Sequence, residues 1–392
     1  MTIKITRLKV LFAGISSLVL MVGIARFSYT PLLVIMQDQA NLGIAESGWL
    51  ATINYLGYFT GAIIASQIKD LRLKDALFRL GLVMAVVTTA GMGLTDDLWL
   101  WIFLRFIAGL CSAAGLLLGS GLVLHWLLRH NFKPELGIHF IGMGLGIAVC
   151  ALFVELLRQY VSWNHQWLLL SVLGLLILIP AWRWLPRPES SVITNNGTRL
   201  VDNPPSKLYL RVFMAAYFCA GVGYVVGITF IVAFVDQLPG FNGQGSWAYF
   251  VLGIFAAPAC IIWDFIARKT GDINALIAAF LLQVVGILLP LIGGNLFMVF
   301  SGAALFGFSF IGIVSLVLTM AGRFYPTRPA TMMGKMTITY GIAQILAPAI
   351  TGVLAEYWGN YNMGFYIAAV VMLFGSGFMV LLGMIEKQQL KV

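Results

Sequence analysis

The sequence predicts an all-α membrane protein: twelve transmembrane helices in two pseudo-symmetric six-helix bundles. Three observations predict it. Sixty per cent of the 392 residues are hydrophobic and only 10% are charged, with a mean hydropathy of +0.93; soluble domains carry roughly 25% charged residues. Twelve apolar stretches approach or exceed the about 20 residues that cross a bilayer. Of the 24 Lys and Arg residues, 21 fall in every second gap between those stretches or at the stretch ends that flank it, and basic residues are retained on the cytoplasmic side during insertion.

The stretches run over 10–36, 47–68, 76–95, 98–128, 136–159, 166–185, 209–236, 247–267, 273–293, 295–319, 334–356 and 362–385. Lys4, Arg7 and Lys9 before the first one imitate a signal peptide. Its apolar run is far longer than a signal core of roughly 7–15 residues, and no small-x-small cleavage site follows, so it reads as a retained helix. Residues 187–208, RPESSVITNNGTRLVDNPPSKL, form the one long polar gap and read as a flexible linker. The chain therefore divides into an N-terminal bundle (1–186), the linker (187–208) and a C-terminal bundle (209–392). The basic gaps begin and end the series, so both termini are cytoplasmic. The gaps SQIKDLRLKDAL after helix 2 and WDFIARKTGDINAL after helix 8 echo each other, as duplicated transporter halves do.

Composition also excludes. The +9 net charge sits at membrane edges, which insertion explains, and not on a soluble nucleic-acid-binding domain. Cys111, Cys150, Cys219 and Cys260 lie within apolar segments with no C-x-x-C pair and read as packing residues. The histidines show no metal spacing, and neither metal nor cofactor is expected. A membrane-embedded enzyme would need a polar catalytic constellation, which is missing. No G-x-x-x-x-G-K-[ST] motif supports nucleotide-driven pumping.

Three basic residues break the pattern: Arg158 in the opposite gaps, and Arg26 and Arg105 inside apolar stretches. An intramembrane charge is expensive and functional by default. Arg26 precedes Pro31 by five residues, and Gly23 and Pro31 should loosen helix 1 there. It lines a cavity and contacts substrate, or it packs on neighbouring carbonyls and only fixes the helix. Asp38 is a candidate to neutralise it. Arg105 and Glu155 match in depth, which makes a salt bridge plausible; alternatively, Glu155 snorkels to the outer surface. Asp236 reads as an interfacial acid, Asp264 as an i,i+4 partner of Arg268, and His139 as a satisfied interfacial histidine. Phe27, Tyr29, Tyr55, Tyr58, Phe59, Tyr217, Tyr224, Phe306, Phe308, Phe310, Tyr340 and Gln344 supply aromatic and polar groups that suggest an amphipathic cavity. Gly142/Gly146 and Gly115/Gly119 form G-x-x-x-G pairs that read as close helix packing.

Twelve helices split six and six, with RFIAGLCSAAG (Arg105–Gly115) in helix 4 and GIAQILAPAITG (Gly341–Gly352) in helix 11, resemble the major facilitator superfamily. GIARFSYTPLLVIMQ in helix 1 and GVGYVVGITF in helix 7 resemble its YbfB/YjiJ-type branch. The resemblance implies alternating access through a central cavity, with Arg26, Tyr29, Tyr55, Tyr58, Tyr217, Tyr224, Tyr340 and Gln344 as substrate contacts. It implies proton coupling through Arg105, with Glu155 as the titrating acid. It also implies a conformational loop at Asp70 and Lys74, echoed by Arg268 in the second half, although Ser66 and Leu73 replace the family's loop glycines. Two departures stand out: helix 5 lacks the Gly-Pro pair of drug/proton antiporters, and helix 1 carries Arg26 where exporters of cationic drugs often carry an acid. The expected function is proton-coupled export of small amphipathic molecules across a bacterial inner membrane, by a monomer whose partners are its substrate, protons and the lipid bilayer. The alternatives are proton-linked uptake of a small organic anion or sugar, and a sensor or lipid-handling protein with the same fold.

Overall fold

A computed structural model describes residues 2–68, 70–130, 132, 136–188, 203–241, 243–292, 295–324 and 329–389. Most of the 187–208 linker lies outside the described residues, as do Lys69, Lys133 and Arg328.

Helices appear where the apolar stretches predict them. They are α1 (Thr2–Leu18, Val19–Phe27 and Tyr29–Gln39), α2 (Ile44–Gln67), α3 (Leu71–Leu94), α4 (Leu98–Ala113, Ala114–Gly119 and Ser120–Arg129), α5 (Leu136–Leu157) and α6 (Trp163–Arg183). The second series is α7 (Lys207–Gln237), α8 (Gly245–Ala256 and Ala259–Thr270), α9 (Asp272–Ile292), α10 (Leu296–Phe324), α11 (Pro329–Trp358) and α12 (Asn362–Gln389). Among the described residues, ten helices are long and apolar enough to cross a membrane, and α8 makes an eleventh across a 48° bend. Pro258, which lacks an N–H, sits at that bend. The helix left over is α2, whose Thr52, Asn54, Tyr55, Tyr58 and Thr60 make it more polar than the rest. Tyr55 and Tyr58 belong to the site described below.

Helices α1–α6 pack together, as do α7–α12, and the two sets meet through α2 on α11, α5 on α8 and α1 on α7. Small residues permit the approach. A Cβ on Gly48 would lie 2.6 Å from the Pro348 carbonyl oxygen, and one on Gly144 would lie 2.3 Å from the Ala257 nitrogen. The Gly142/Gly146 pair packs inside its own half, Gly142 on Ile15 and Leu18 and Gly146 on Gly23. It is Gly144, between them, that carries α5 against the other half. Call the end with both chain termini the terminus end and the opposite one the far end. Among the described residues, side-chain hydrogen bonds between halves run from the centre to the far end: Thr30 to the Ile228 carbonyl, Tyr55 to Thr229, Thr52 to the Ile345 carbonyl, Tyr249 to the Phe27 carbonyl, Gln37 to Tyr361, and Arg158 to Asp236. Burial among these groups pushes the Tyr361 phenol up from its ordinary pKa.

Near the terminus end, Arg79 is buried, not part of a solvated basic gap. It pairs with Asp75 at 3.0 Å and donates to the carbonyls of Trp182 and Leu185, closing the end of α6. Breaking a buried pair leaves an uncompensated charge and costs about 3–5 kcal/mol. Arg79→Met should therefore lower the melting temperature in detergent markedly. Adding Asp75→Leu should recover part of the loss; an Arg79→Met variant that melts like the parent would remove this role.

Candidate functional site

The site begins with a break in α1. Val19–Phe27 is π-helical, and Ser28 N–H reaches five residues back to the Gly23 carbonyl at 3.0 Å. Two residues dictate this. Gly23 has no side chain and presses against Gly146, and Pro31 has no N–H to offer the carbonyl four residues before it. That carbonyl belongs to Phe27, and Tyr249 of α8 donates to it at 3.4 Å. Other carbonyls of the segment are taken from α4: Ser112 donates to Met21 at 2.8 Å, and the Arg105 guanidinium donates to Ala25 and Arg26 at 3.3–3.5 Å. Such π-helical turns recur at functional sites.

Arg105 thus fixes the segment that carries Arg26. It is 3% exposed and lies 4.4 Å from the ring centroid of Tyr29, whose hydroxyl donates to the Ser47 carbonyl at 2.9 Å. Among the described residues, no ion pair joins Arg105 to Glu155, contrary to the expectation from matched depth. The side chains face different partners: Arg105 turns to α1, while Glu155, its Oε2 buried and unpartnered, lies beside Ser246, Arg158 and Asp236. Tyr29, expected against substrate, is engaged by Arg105 and Ser47 inside its own half.

Arg26 occupies the centre. It is 5% exposed, with its guanidinium carbon 4.4 Å from the Tyr55 ring and 4.5 Å from the Tyr58 ring. It also lies close to Tyr224. Its Nε and Nη2 have no hydrogen-bond partner. Asp38 is exposed near the far end of α1 and does not neutralise it.

The other half supplies a stack of rings. Tyr217 and Tyr340 lie 4.5 Å apart at 24°, Tyr340 and Tyr224 5.6 Å apart at 27°, and Tyr224 and Phe310 5.2 Å apart at 30°. Tyr217 and Tyr224, seven residues apart on α7, share one face as helical periodicity requires. Gln344, one turn beyond Tyr340 on α11, is buried with its Oε1 unpartnered. Tyr55 joins the halves through its 3.2 Å contact with Thr229. Of the substrate contacts expected from sequence, Arg26, Tyr55, Tyr58, Tyr217, Tyr224 and Tyr340 converge, Gln344 adjoins them, and Tyr29 does not. Phe59 packs on Gly341 and Phe306 on Gly227, as spacers.

Elsewhere the structure rearranges expectations. Arg158, the lone basic residue of the opposite gaps, bonds Asp236 across the halves at 3.3 Å, and Asp236 also accepts from Gly243 N–H and Gly245 N–H. Asp236 is therefore no solvated interfacial acid. His139 is fully buried, bonded to Ser120 at 2.8 Å, with Nδ1 unpartnered against Gly14. Asp70 caps α3 by accepting from Arg72 N–H, and Lys74 follows in its first turn. Arg268 pairs with Asp264 at the surface, as i,i+4 spacing predicts.

Comparison with known proteins matches this architecture. A family model described as "Uncharacterised MFS-type transporter YbfB" covers residues 18–380. The chain belongs to this family of the major facilitator superfamily. It is a multi-pass membrane transporter of the secondary type, and not an enzyme. It is 23% identical to the "Uncharacterized MFS-type transporter YceJ" of Bacillus subtilis over 351 residues, 87% of this chain and 82% of that one. It is 22% identical to the "Probable sulfoacetate transporter SauU" of Cupriavidus necator over 77% of this chain and 76% of the relative. It is 29% identical to the "Niacin transporter NiaP" of Acinetobacter baylyi over 148 residues, 38% of this chain and 33% of the relative. Among solved structures, a variant of the nucleoside transporter NupG superposes with a TM-score of 0.76 at 12% identity, covering 96% of this chain and 99% of that one. A bacterial homologue of the lysosomal transporter Spinster, inward-facing and unoccupied, gives 0.69 at 14%, with 96% and 97% covered. These superpositions concern the fold.

Proposed function

We propose that the chain carries a small amphipathic organic solute by alternating access, through a site between its halves formed by Arg26, Tyr55, Tyr58, Tyr217, Tyr224, Tyr340 and Gln344. The observation that carries this reading is the buried convergence of these side chains from both halves, with polar atoms of Arg26 and Gln344 left unpartnered. A solute touching both halves favours their closure, because only differential contacts shift a conformational equilibrium. SauU and NiaP, named for sulfoacetate and niacin, support a solute of metabolite size. The distribution of Lys and Arg supports cytoplasmic termini in a bacterial inner membrane, the terminus end being cytoplasmic. Coupling to protons, in this reading, uses Glu155 and Asp236 around Arg158 in place of an Arg105–Glu155 pair.

The test is a thermostability screen of the purified full-length protein, since a ligand that binds the native state raises its melting temperature. Hits should lose their effect in Tyr58→Ala and Tyr340→Ala variants and should be accumulated by proteoliposomes. A solute that is transported yet stabilises those variants as well as the parent would move the site elsewhere.

A further inference from the structure

Resting on that reading of the site, we infer that the solute is a flat aromatic monocarboxylate, held edge-on by Arg26 and stacked on the tyrosines of the opposite half. The two unpartnered nitrogens of Arg26, Nε and Nη2, are neighbours along one edge of the guanidinium plane. That edge presents two parallel N–H donors at the spacing of a carboxylate's two oxygens, the geometry of bidentate arginine–carboxylate pairs. The cation–π contacts with Tyr55 and Tyr58 stabilise the guanidinium through its face. They leave this edge unused.

Charge points the same way. Among the described residues, Arg26 takes part in no ion pair. The acids inside the spanning helices lie elsewhere: Asp75 pairs with Arg79, Asp236 with Arg158 and Asp264 with Arg268, and Glu155 sits beside Arg158 and Asp236, away from Arg26. Arg105, the nearest other cation, is balanced by carbonyls and by the Tyr29 ring, not by a carboxylate. The centre is therefore positive. A buried cation without a counter-ion is costly, so a monoanion entering here supplies the missing charge, whereas an organic cation would meet repulsion.

The C-terminal half then decides the body of the molecule. Tyr217, Tyr340, Tyr224 and Phe310 lie near-parallel, and offset-stacked rings favour a further ring inserted beside them. The anion is thus held by the N-terminal half and the ring by the C-terminal half. A solute with both parts draws the two together.

The experiment uses full-length protein in detergent, with melting temperature and titration calorimetry as readouts. The probes are nicotinate and benzoate, their neutral counterparts nicotinamide and benzamide, and the ringless acids acetate and sulfoacetate. Nicotinate or benzoate should bind about tenfold or more tighter than its amide, because the amide leaves the arginine edge unneutralised. It should also bind tighter than acetate. Arg26→Gln should abolish the preference for acid over amide, and Arg26→Lys should not restore it, since an ammonium has no paired edge. The acid–amide comparison on the unmutated protein decides the matter even if an Arg26 variant folds poorly. Equal binding of acid and amide, or binding of neither aromatic acid, overturns the inference. Aromatic amides that bind in a Tyr340-dependent way would leave the site standing and overturn only the charge. Binding of any probe that ignores Arg26, Tyr58 and Tyr340 alike would overturn the site itself.

Discussion

Arg158→Ala is expected to open the far end of the protein. The Arg158–Asp236 bond joins the turn that follows α5 in one half to the end of α7 in the other, with side chains 25% and 6% exposed. Loss of the arginine leaves Asp236 with only the backbone N–H groups of Gly243 and Gly245, and leaves Glu155 facing a second carboxylate across the seam. An unsatisfied, partly buried charge costs about 1–3 kcal/mol, and each 1.4 kcal/mol is a factor of about ten in an equilibrium. A cysteine at position 30, where Thr30 bonds the Ile228 carbonyl, reports the opening. The four native cysteines are buried, so background labelling by an impermeant maleimide should be low. In a Thr30→Cys background, Arg158→Ala should speed labelling roughly tenfold. Asp236→Asn should act in the same direction, and the double variant should add little, as expected of residues sharing one bond. Unchanged labelling in both single variants would mean that the far end is held by its apolar contacts and not by this pair.

Gly146→Leu is expected to be the most damaging single substitution in the N-terminal half. A Cβ at position 146 would lie 2.8 Å from the Gly23 Cα and 3.3 Å from that of Val19, so the obstacle is backbone on the opposing helix. Overpacking that a neighbouring side chain can absorb costs about 1–3 kcal/mol; here nothing flexible can yield. The displaced backbone is the π-helical segment that holds Arg26. The variant should lose both thermal stability and solute binding. Gly121→Leu is the control, because a Cβ there meets nothing within 4 Å. If the two variants melt alike, the contact between α1 and α5 does not constrain the fold.

The architecture was legible in the sequence because one-dimensional quantities encode it: apolar run lengths, the alternation of basic gaps and the polar linker. The centre of the site was legible in part. Arg26 declared itself as a charge in a bilayer segment, and Pro31 with Gly23 announced the break beside it. Partnerships were not legible. Depth along a helix can be counted, but the direction a side chain faces depends on how helices rotate against one another. Counting along the helices pairs Arg105 with Glu155, whereas helix rotation turns one to α1 and the other to Arg158 and Asp236. Arg158 carries a sequence signal, since it alone breaks the basic alternation on the far side. Its partner Asp236 is 78 positions away, across the linker. Tyr249 gave no signal of its own; the carbonyl it serves is freed by Pro31, and nothing local says which helix will answer. His139 looked interfacial because it is near the end of α5, whereas the neighbouring α4 covers it through Ser120.

The π-helical turn has a consequence for chain length. Val19–Phe27 accommodates its carbonyl pattern by winding wider than an α-helix, so this segment is sensitive to the number of residues it contains. Removal of any one of them would let the segment close into a plain α-helix, with the helix on either side kept nearly in phase, because the wider turn is what takes up the extra residue. The carbonyls of Met21, Ala25 and Arg26 would then turn back into the helix and away from Ser112 and Arg105, although every spanning segment would still be long enough to cross. Among relatives of this chain, a single gap falling between residues 19 and 27 would separate carriers that keep this widened turn beside the central arginine from carriers that do not. A length difference in a loop would carry no such meaning.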